Sequence, residues 1–234
     1  MDFLGSHILS VSQFDRGSIA EIFRVADEMT PYARRERITR VLEGAILSNM
    51  FFEASTRTRI SFGCAFNMLG GEVRETTELK SSSLAKGESL MDTARVLSGY
   101  SDVIVMRHFE SGSVAEFSRA SRVPVINGGD GTNEHPSQAL LDLYTIQKEL
   151  GENRKDINGL RISLIGDLKH GRTVHSLCRL LALYAHVHYK LVSPPGLGLP
   201  GDIIEELRSQ GHRVETFDQL ASGIEQVDIL YVTR

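Results

Sequence analysis

Short apolar runs alternate with amphipathic helical stretches along almost the whole chain, and that alternation leaves few folds open. Candidate strands are Ala45–Phe52, Glu72–Thr76, Asp102–Met106, Val123–Asn127, Arg161–Ile165, His188–Val192, Arg213–Phe217 and Asp228–Val232. Helical patterns occupy Arg57–Leu69, Ser89–Ser98, Ser113–Ala120, Pro136–Leu150, Arg172–Tyr184 and Asp202–Gln210, and Gly17–Tyr32 forms an earlier helix. Strands separated by helices of about 8–15 residues predict βαβ units and a parallel sheet between helical layers. The expected class is α/β, with two three-layer domains that have parallel sheets and helices on both faces. A polar, glycine-flanked stretch, Gly151–Gly159, precedes a new apolar strand and divides domain 1–150 from domain 151–234. No internal repeat is seen. The last strand is followed only by Thr233 and Arg234, whereas a parallel strand is normally covered on both faces. The second domain therefore reads as incomplete and the chain as a fragment.

Composition removes several function classes. The chain is 41% hydrophobic and 24% charged, enough for a core. A net charge of -4 and a pI near 6.1 leave no basic footprint for nucleic acid. Two cysteines, Cys64 and Cys178, make neither a disulfide framework nor a four-ligand zinc site, so reduced thiols in the cytoplasm are expected. The first residues lack a cationic and apolar signal pattern, and no run of about 18 apolar residues predicts a membrane span. His186 and His188 supply too few ligands for a metal and read as a solvated pair at a strand entry; no metal or cofactor is expected.

In an open parallel sheet, ligands bind beyond the carboxyl ends of the strands. Four such positions are polar. In Phe51–Arg59 a buried strand runs into Ser55-Thr56-Arg57-Thr58 at a helix start, an arrangement suited to an anion; a plain Ser/Thr cap is the competing reading. Val103–His108 delivers Arg107 and His108 at a strand end, where Arg107 could equally pair with a helix carboxylate. Asn127–Gln138 reads as a glycine-rich turn leading to a helix opened by His135 and Pro136, with Gln138 three residues on. A histidine there is disfavoured as a cation and should be neutral. Leu164–Ser176 places Arg172 at a helix start, suited to a carboxylate ligand unless it pairs with Asp167. Neither a P-loop nor a dinucleotide fingerprint occurs.

These segments, in order from His7 to Arg234, resemble the catalytic chains of the aspartate carbamoyltransferase family. The resemblance implies transfer of the carbamoyl group of carbamoyl phosphate to L-aspartate, giving N-carbamoyl-L-aspartate and phosphate, in pyrimidine biosynthesis. It implies that Ser55, Thr56, Arg57 and Thr58 hold phosphate and that Arg107 bridges phosphate and carbonyl. Thr58, Arg107 and His135 would polarise the carbonyl, with Gln138 beside the carbamoyl amide. Lys86, with Ser83, resembles the loop that reaches a neighbouring subunit's site, and Arg172 and Arg234 resemble the arginines that take aspartate. A cytoplasmic homotrimer with shared sites follows from the resemblance, which also allows regulatory chains as partners. Phe109 stands where the family commonly has proline. Family chains continue past Arg234, so ligand binding with little or no turnover is expected of this chain. The rival readings are an ornithine carbamoyltransferase, to which Arg172 and Arg234 are unsuited, and a homologue or fragment that only binds ligand.

Overall fold

The structure, a computed structural model, describes residues 2–77, 87–151 and 156–234. Helix α1 (Arg16–Ala33) precedes a regular alternation: β1 (Ile46–Phe51), α2 (Thr56–Met68), β2 (Glu72–Thr76), α3 (Leu90–Leu97), β3 (Val103–His108), α4 (Ser113–Ser118), β4 (Val125–Asp130) and α5 (Pro136–Glu149). It continues with β5 (Arg161–Ile165), α6 (Arg172–Leu181), β6 (His188–Val192), α7 (Gly201–Ser209), β7 (Arg213–Phe217), α8 (Leu220–Ile224) and β8 (Ile229–Val232). The strands form two four-stranded sheets, ordered β2-β1-β3-β4 and β7-β6-β5-β8, and every pairing is parallel. The expected α/β class holds.

The first sheet is buried on both faces, which is why β1 and β3 are nearly continuous in burial rather than alternating. Met50, Ile104, Met106 and Val125 pack against Ala94 of α3 and Val114 and Phe117 of α4. Leu47, Phe51 and Val105 face the other way, against Phe62 and Phe66 of α2. Asp102, at the amino end of β3, accepts the Ile46 amide at 2.8 Å and so fixes the register of β3 on β1. An N-terminal segment lies along β4: the Ile8 amide donates to Val125 O and the Asn127 amide to Ile8 O, both at 2.8 Å.

The second sheet packs on α6, seven of whose ten residues are buried. Leu164, Tyr189 and Leu191 are at most 1% exposed, and the Tyr189 hydroxyl donates to Cys178 O at 3.1 Å. Asp228 accepts the Arg161 amide at 2.9 Å, as Asp102 does for Ile46. Strand β8 pairs with β5 alone, and its Leu230 and Val232 are exposed. Two positions depart from the sequence reading here. Only one member of the His186–His188 pair is solvated: His186 is exposed, whereas the half-buried His188 ring is hydrogen-bonded to Glu215 at 2.6 Å. The short helix α8 went unforeseen.

The chain divides into two compact units, Met1–Gln13 with Gly17–Pro136 and Phe14–Arg16 with Ser137–Arg234. Thus α5, placed by the sequence in the first domain, groups after its first residue with the second sheet. No helix among the described residues is long and apolar enough to cross a membrane.

The two cysteines differ sharply. Cys64 is exposed on α2; Cys178 is buried on α6, where burial pushes its thiol up to about 12 and leaves almost no thiolate at neutral pH. A disulfide reagent should therefore titrate one thiol per native chain and two after unfolding. Two equally fast thiols in the native state would contradict this packing.

Candidate functional site

Both sheets have a point at which the chain reverses direction across the sheet. From β1 it moves outward to β2 and then crosses back to β3 on the other side of β1. From β5 it moves outward to β6 and β7 and returns to β8 on the other side of β5. Such switch points open a crevice at the carboxyl ends of the two strands. Ser55–Thr58 and Arg107 stand at the carboxyl ends of β1 and β3, and Arg172 and Arg234 follow β5 and β8.

In the first unit, β1 ends at Phe51, opposite Arg107 of β3, and the Phe52 amide donates to Arg107 O at 2.9 Å. Alternation along β3 puts Arg107 on the same face as Val105, the face that α2 covers. Ser55 is the N-cap of α2 in extended backbone, yet its side chain makes no capping bond, so the plain cap expected as the competing reading is not formed. The first-turn amides of a helix have no partners within it, and they lie here beside three hydroxyl residues and Arg57. Thr56 and Arg57 are exposed; Ser55 and Thr58 are half-buried. Asn49, fully buried on β1, ties down this turn by donating its amide to Arg59 O at 3.0 Å, and Arg59 pairs with Glu75.

Arg107 is 7% exposed, and its guanidinium donates to Glu53 Oε1 at 2.6 Å and to Gly128 O at 3.3 Å. Glu53 lies between the strand and the Ser-Thr-Arg-Thr turn, so a carboxylate sits on this arginine at the mouth of the crevice. The sequence left pairing with a helix carboxylate as one of two readings of Arg107; the carboxylate that meets it at 2.6 Å belongs to the β1–α2 turn. Neighbouring His108 is buried, and its Nδ1 accepts the Glu110 amide at 3.0 Å. Burial holds its pKa below the ordinary value. Phe109 stacks on the His108 ring with centroids 4.3 Å apart, which gives the side chain in the proline position a packing role.

The Asn127–Asp130 stretch is strand, not turn: β4 runs to Asp130, and a Cβ added at Gly128 would lie 3.4 Å from Met106 O. Asp130, 2% exposed, organises the connection between β4 and α5. It accepts from the Gly112 and Glu134 amides at 2.9 and 3.1 Å and from the Asn127 and Asn133 side chains at 3.1 and 3.2 Å. This network delivers His135, 4% exposed, to the residue before α5. Glu53 and Asp130 were both missed from the sequence; the only local signal was a carboxylate inside an otherwise cationic or glycine-rich strand end.

The second unit holds the other candidates. Gln138, on the first turn of α5, donates its amide to Asp142 Oδ1 at 2.8 Å. Arg172 is half-buried at the first position of α6 behind Gly171. Asp167 pairs with His170 rather than with Arg172 as the competing reading had it: it accepts the His170 amide at 3.1 Å and lies 3.0 Å from its Nδ1. The His170 amide bond is the main reason its carboxyl is held below the usual range. Across the β5/β8 switch, the Asp167 amide donates to Arg234 O at 2.7 Å, which fastens the backbone of exposed Arg234 to the loop that leads to Arg172. Lys86 and Ser83 lie outside the described residues. Among the described residues, no three His, Cys, Asp or Glu side chains gather as a metal site.

Two family models match, in chain order. Residues 6–148 match the "Aspartate/ornithine carbamoyltransferase, carbamoyl-P binding domain" and residues 158–234 the "Aspartate/ornithine carbamoyltransferase, Asp/Orn binding domain". The chain belongs to the aspartate/ornithine carbamoyltransferase family. Within the family, the chain is 70% identical over its full length to an aspartate carbamoyltransferase catalytic subunit of Saccharophagus degradans, of which it spans 69%. The catalytic subunit of Methanocaldococcus jannaschii aspartate transcarbamoylase superposes with a TM-score of 0.90 at 48% identity, over 98% of this chain and 74% of that one. The aspartate transcarbamoylase of Trypanosoma cruzi, crystallised with carbamoyl phosphate and aspartate, gives 0.90 at 39% identity, over 98% and 72%. The carbamoyl-phosphate family model spans Ser55–Thr58, Arg107, His135 and Gln138, and the amino-acid model spans Arg172 and Arg234.

Proposed function

We propose that this chain binds carbamoyl phosphate at the β1/β3 switch and L-aspartate at the β5/β8 switch, the two substrates of a carbamoyl transfer. The observation that carries the reading is the placement of buried Arg107 and the free first turn of α2 on one face of one sheet edge. Ser55, Thr56, Arg57 and Thr58 then hold the phosphate with backbone amides, hydroxyls and a guanidinium. Arg107 bridges phosphate and carbonyl, releasing Glu53 when the ligand arrives. Gln138 sits beside the carbamoyl amide. Arg172 and Arg234 take the aspartate carboxylates, joined by Lys86 from a neighbouring subunit of a cytoplasmic homotrimer. Two free cysteines accord with a reducing compartment.

In the reaction the aspartate nitrogen bonds to the carbamoyl carbon, negative charge gathers on the carbonyl oxygen, and the carbon–oxygen bond to phosphate breaks. The departing phosphate takes the proton lost by the amine. Thr58, Arg107 and His135 are the donors for that oxygen, and one such donor is worth about 2.7–4 kcal/mol. Holding both substrates together contributes roughly 7–11 kcal/mol more. Calorimetric titration with carbamoyl phosphate should show one site per chain, competed by inorganic phosphate, with carbamoyl aspartate assayed on adding L-aspartate. Absence of carbamoyl phosphate binding would overturn the reading.

A further inference from the structure

The Gln138 amide is held from one side by a group that fixes its orientation. Asp142 lies one turn further along α5 and accepts Gln138 Nε2–H on Oδ1 at 2.8 Å, while the Tyr231 hydroxyl of β8 donates to Oδ2 at 2.9 Å. Each carboxylate oxygen thus has its own donor, from two elements of the same unit. An ionised carboxylate has no proton to give, so the amide can meet it only through nitrogen. Which end of a glutamine faces a ligand is often arbitrary; here the chemistry of the partner decides it. The carbonyl oxygen of Gln138 is the limb left over, an acceptor available to an N–H donor. All three side chains are half-buried. Burial raises the Asp142 carboxyl, and the bonds from Gln138 and Tyr231 oppose it.

We infer that Asp142, braced by Tyr231, is a positioning residue that presents the Gln138 carbonyl oxygen to the ligand and thereby selects a carbamoyl –NH2 over an acyl group of the same shape. The inference rests on the reading of Gln138 as the residue beside the carbamoyl amide. An asparagine at 142 puts an accepting oxygen on one limb and a donating –NH2 on the other. Its oxygen keeps the Tyr231 hydroxyl, its –NH2 meets Gln138, and the glutamine amide turns over to point nitrogen at the ligand. An amide so reversed opposes –NH2 and no longer disfavours a methyl group.

The test measures the affinities of carbamoyl phosphate, acetyl phosphate and inorganic phosphate for the chain and for Asp142→Asn, Tyr231→Phe, Gln138→Ala and the Gln138→Ala/Asp142→Asn double variant. The unmodified chain should prefer carbamoyl to acetyl phosphate. Asp142→Asn should cut that preference about tenfold or more, the value of a lost hydrogen bond in a desolvated site, and leave inorganic phosphate unchanged. Tyr231→Phe should cut it a few-fold, and carries the test alone if Asp142→Asn does not fold. On the Gln138→Ala background, Asp142→Asn should change nothing further. Equal weakening of all three ligands, or an undiminished preference, overturns the positioning role. Failure of the unmodified chain to bind carbamoyl phosphate would instead remove the reading beneath it.

Discussion

Arg107→Ala is expected to weaken carbamoyl phosphate binding by about a hundredfold or more, the largest loss from any single side chain in the first unit. Truncating one member of a buried, hydrogen-bonded charge pair costs roughly 2–5 kcal/mol, and about 1.4 kcal/mol is a factor of ten. Arg107 meets that condition because it is 7% exposed, so its charge acts with little screening by water. Arg57, exposed on the first turn of α2, should also matter, but less for binding than for departure of the phosphate. Arg107→Lys keeps the charge and loses the planar fork, and should fall between. Calorimetry on the three variants checks the order. An Arg107→Ala chain that folds and binds normally would remove this residue from the site.

The second large effect is expected at Gly166, where β5 gives way to the loop carrying Asp167. Its backbone sits at φ +122, and an added Cβ would come within 2.5 Å of Arg234 O and 2.8 Å of Thr233 O. Both neighbours are backbone and cannot swing aside. Strained dihedrals cost about 1–3 kcal/mol and overpacking a similar amount, so Gly166→Ala should destabilise the second unit by roughly 2–6 kcal/mol. It should also separate the ends of β5 and β8. Hydrogen exchange would then show lost protection at the Asp167 and Thr233 amides, which donate to Arg234 O and Ile165 O, but not at Ile104 in the first unit. Gly196→Ala is the control: φ is +82 there but the space is open, so only the dihedral cost remains. Unchanged protection in Gly166→Ala would show that the contact yields.

Four strands were legible from pattern alone: β2, β5, β6 and β7 begin and end where alternation and turn residues place them. Two strands of the first sheet, β3 and β4, were cut short at their carboxyl ends. Pattern ended β3 at Met106 and β4 at Asn127, because Arg107, His108 and the Gly128–Asp130 stretch look like loop. They are buried strand only because Glu53 meets Arg107 and four donors meet Asp130. Hydrophobicity cannot register a polar group whose partner lies 54 residues away. Helix α8 escaped for another reason. Five residues are too few to show a period, and its seat depends on Gly223, where an added Cβ would lie 2.1 Å from Val192. The Ser55–Thr58 turn, Arg107, His135 and Arg172 were legible because each marks the end of a strand or the start of a helix. Gln138 stands out at a helix start in the same way, whereas the Asp142 carboxylate that accepts its amide does not.

The two sheets share a plan that no repeat in the residues betrays. Each has a central strand, a neighbour on one side reached first, a strand on the other side reached later, and an aspartate, Asp102 or Asp228, clasping the first amide of the central strand. A scheme used twice in one chain yields two separately adjustable receptacles, since loops at one crossing can change without disturbing the hydrogen-bond ladder of the other. Evolution could thus keep the donor of the transferred group constant and exchange the acceptor, and one architecture could diversify among amino acids by editing half of itself.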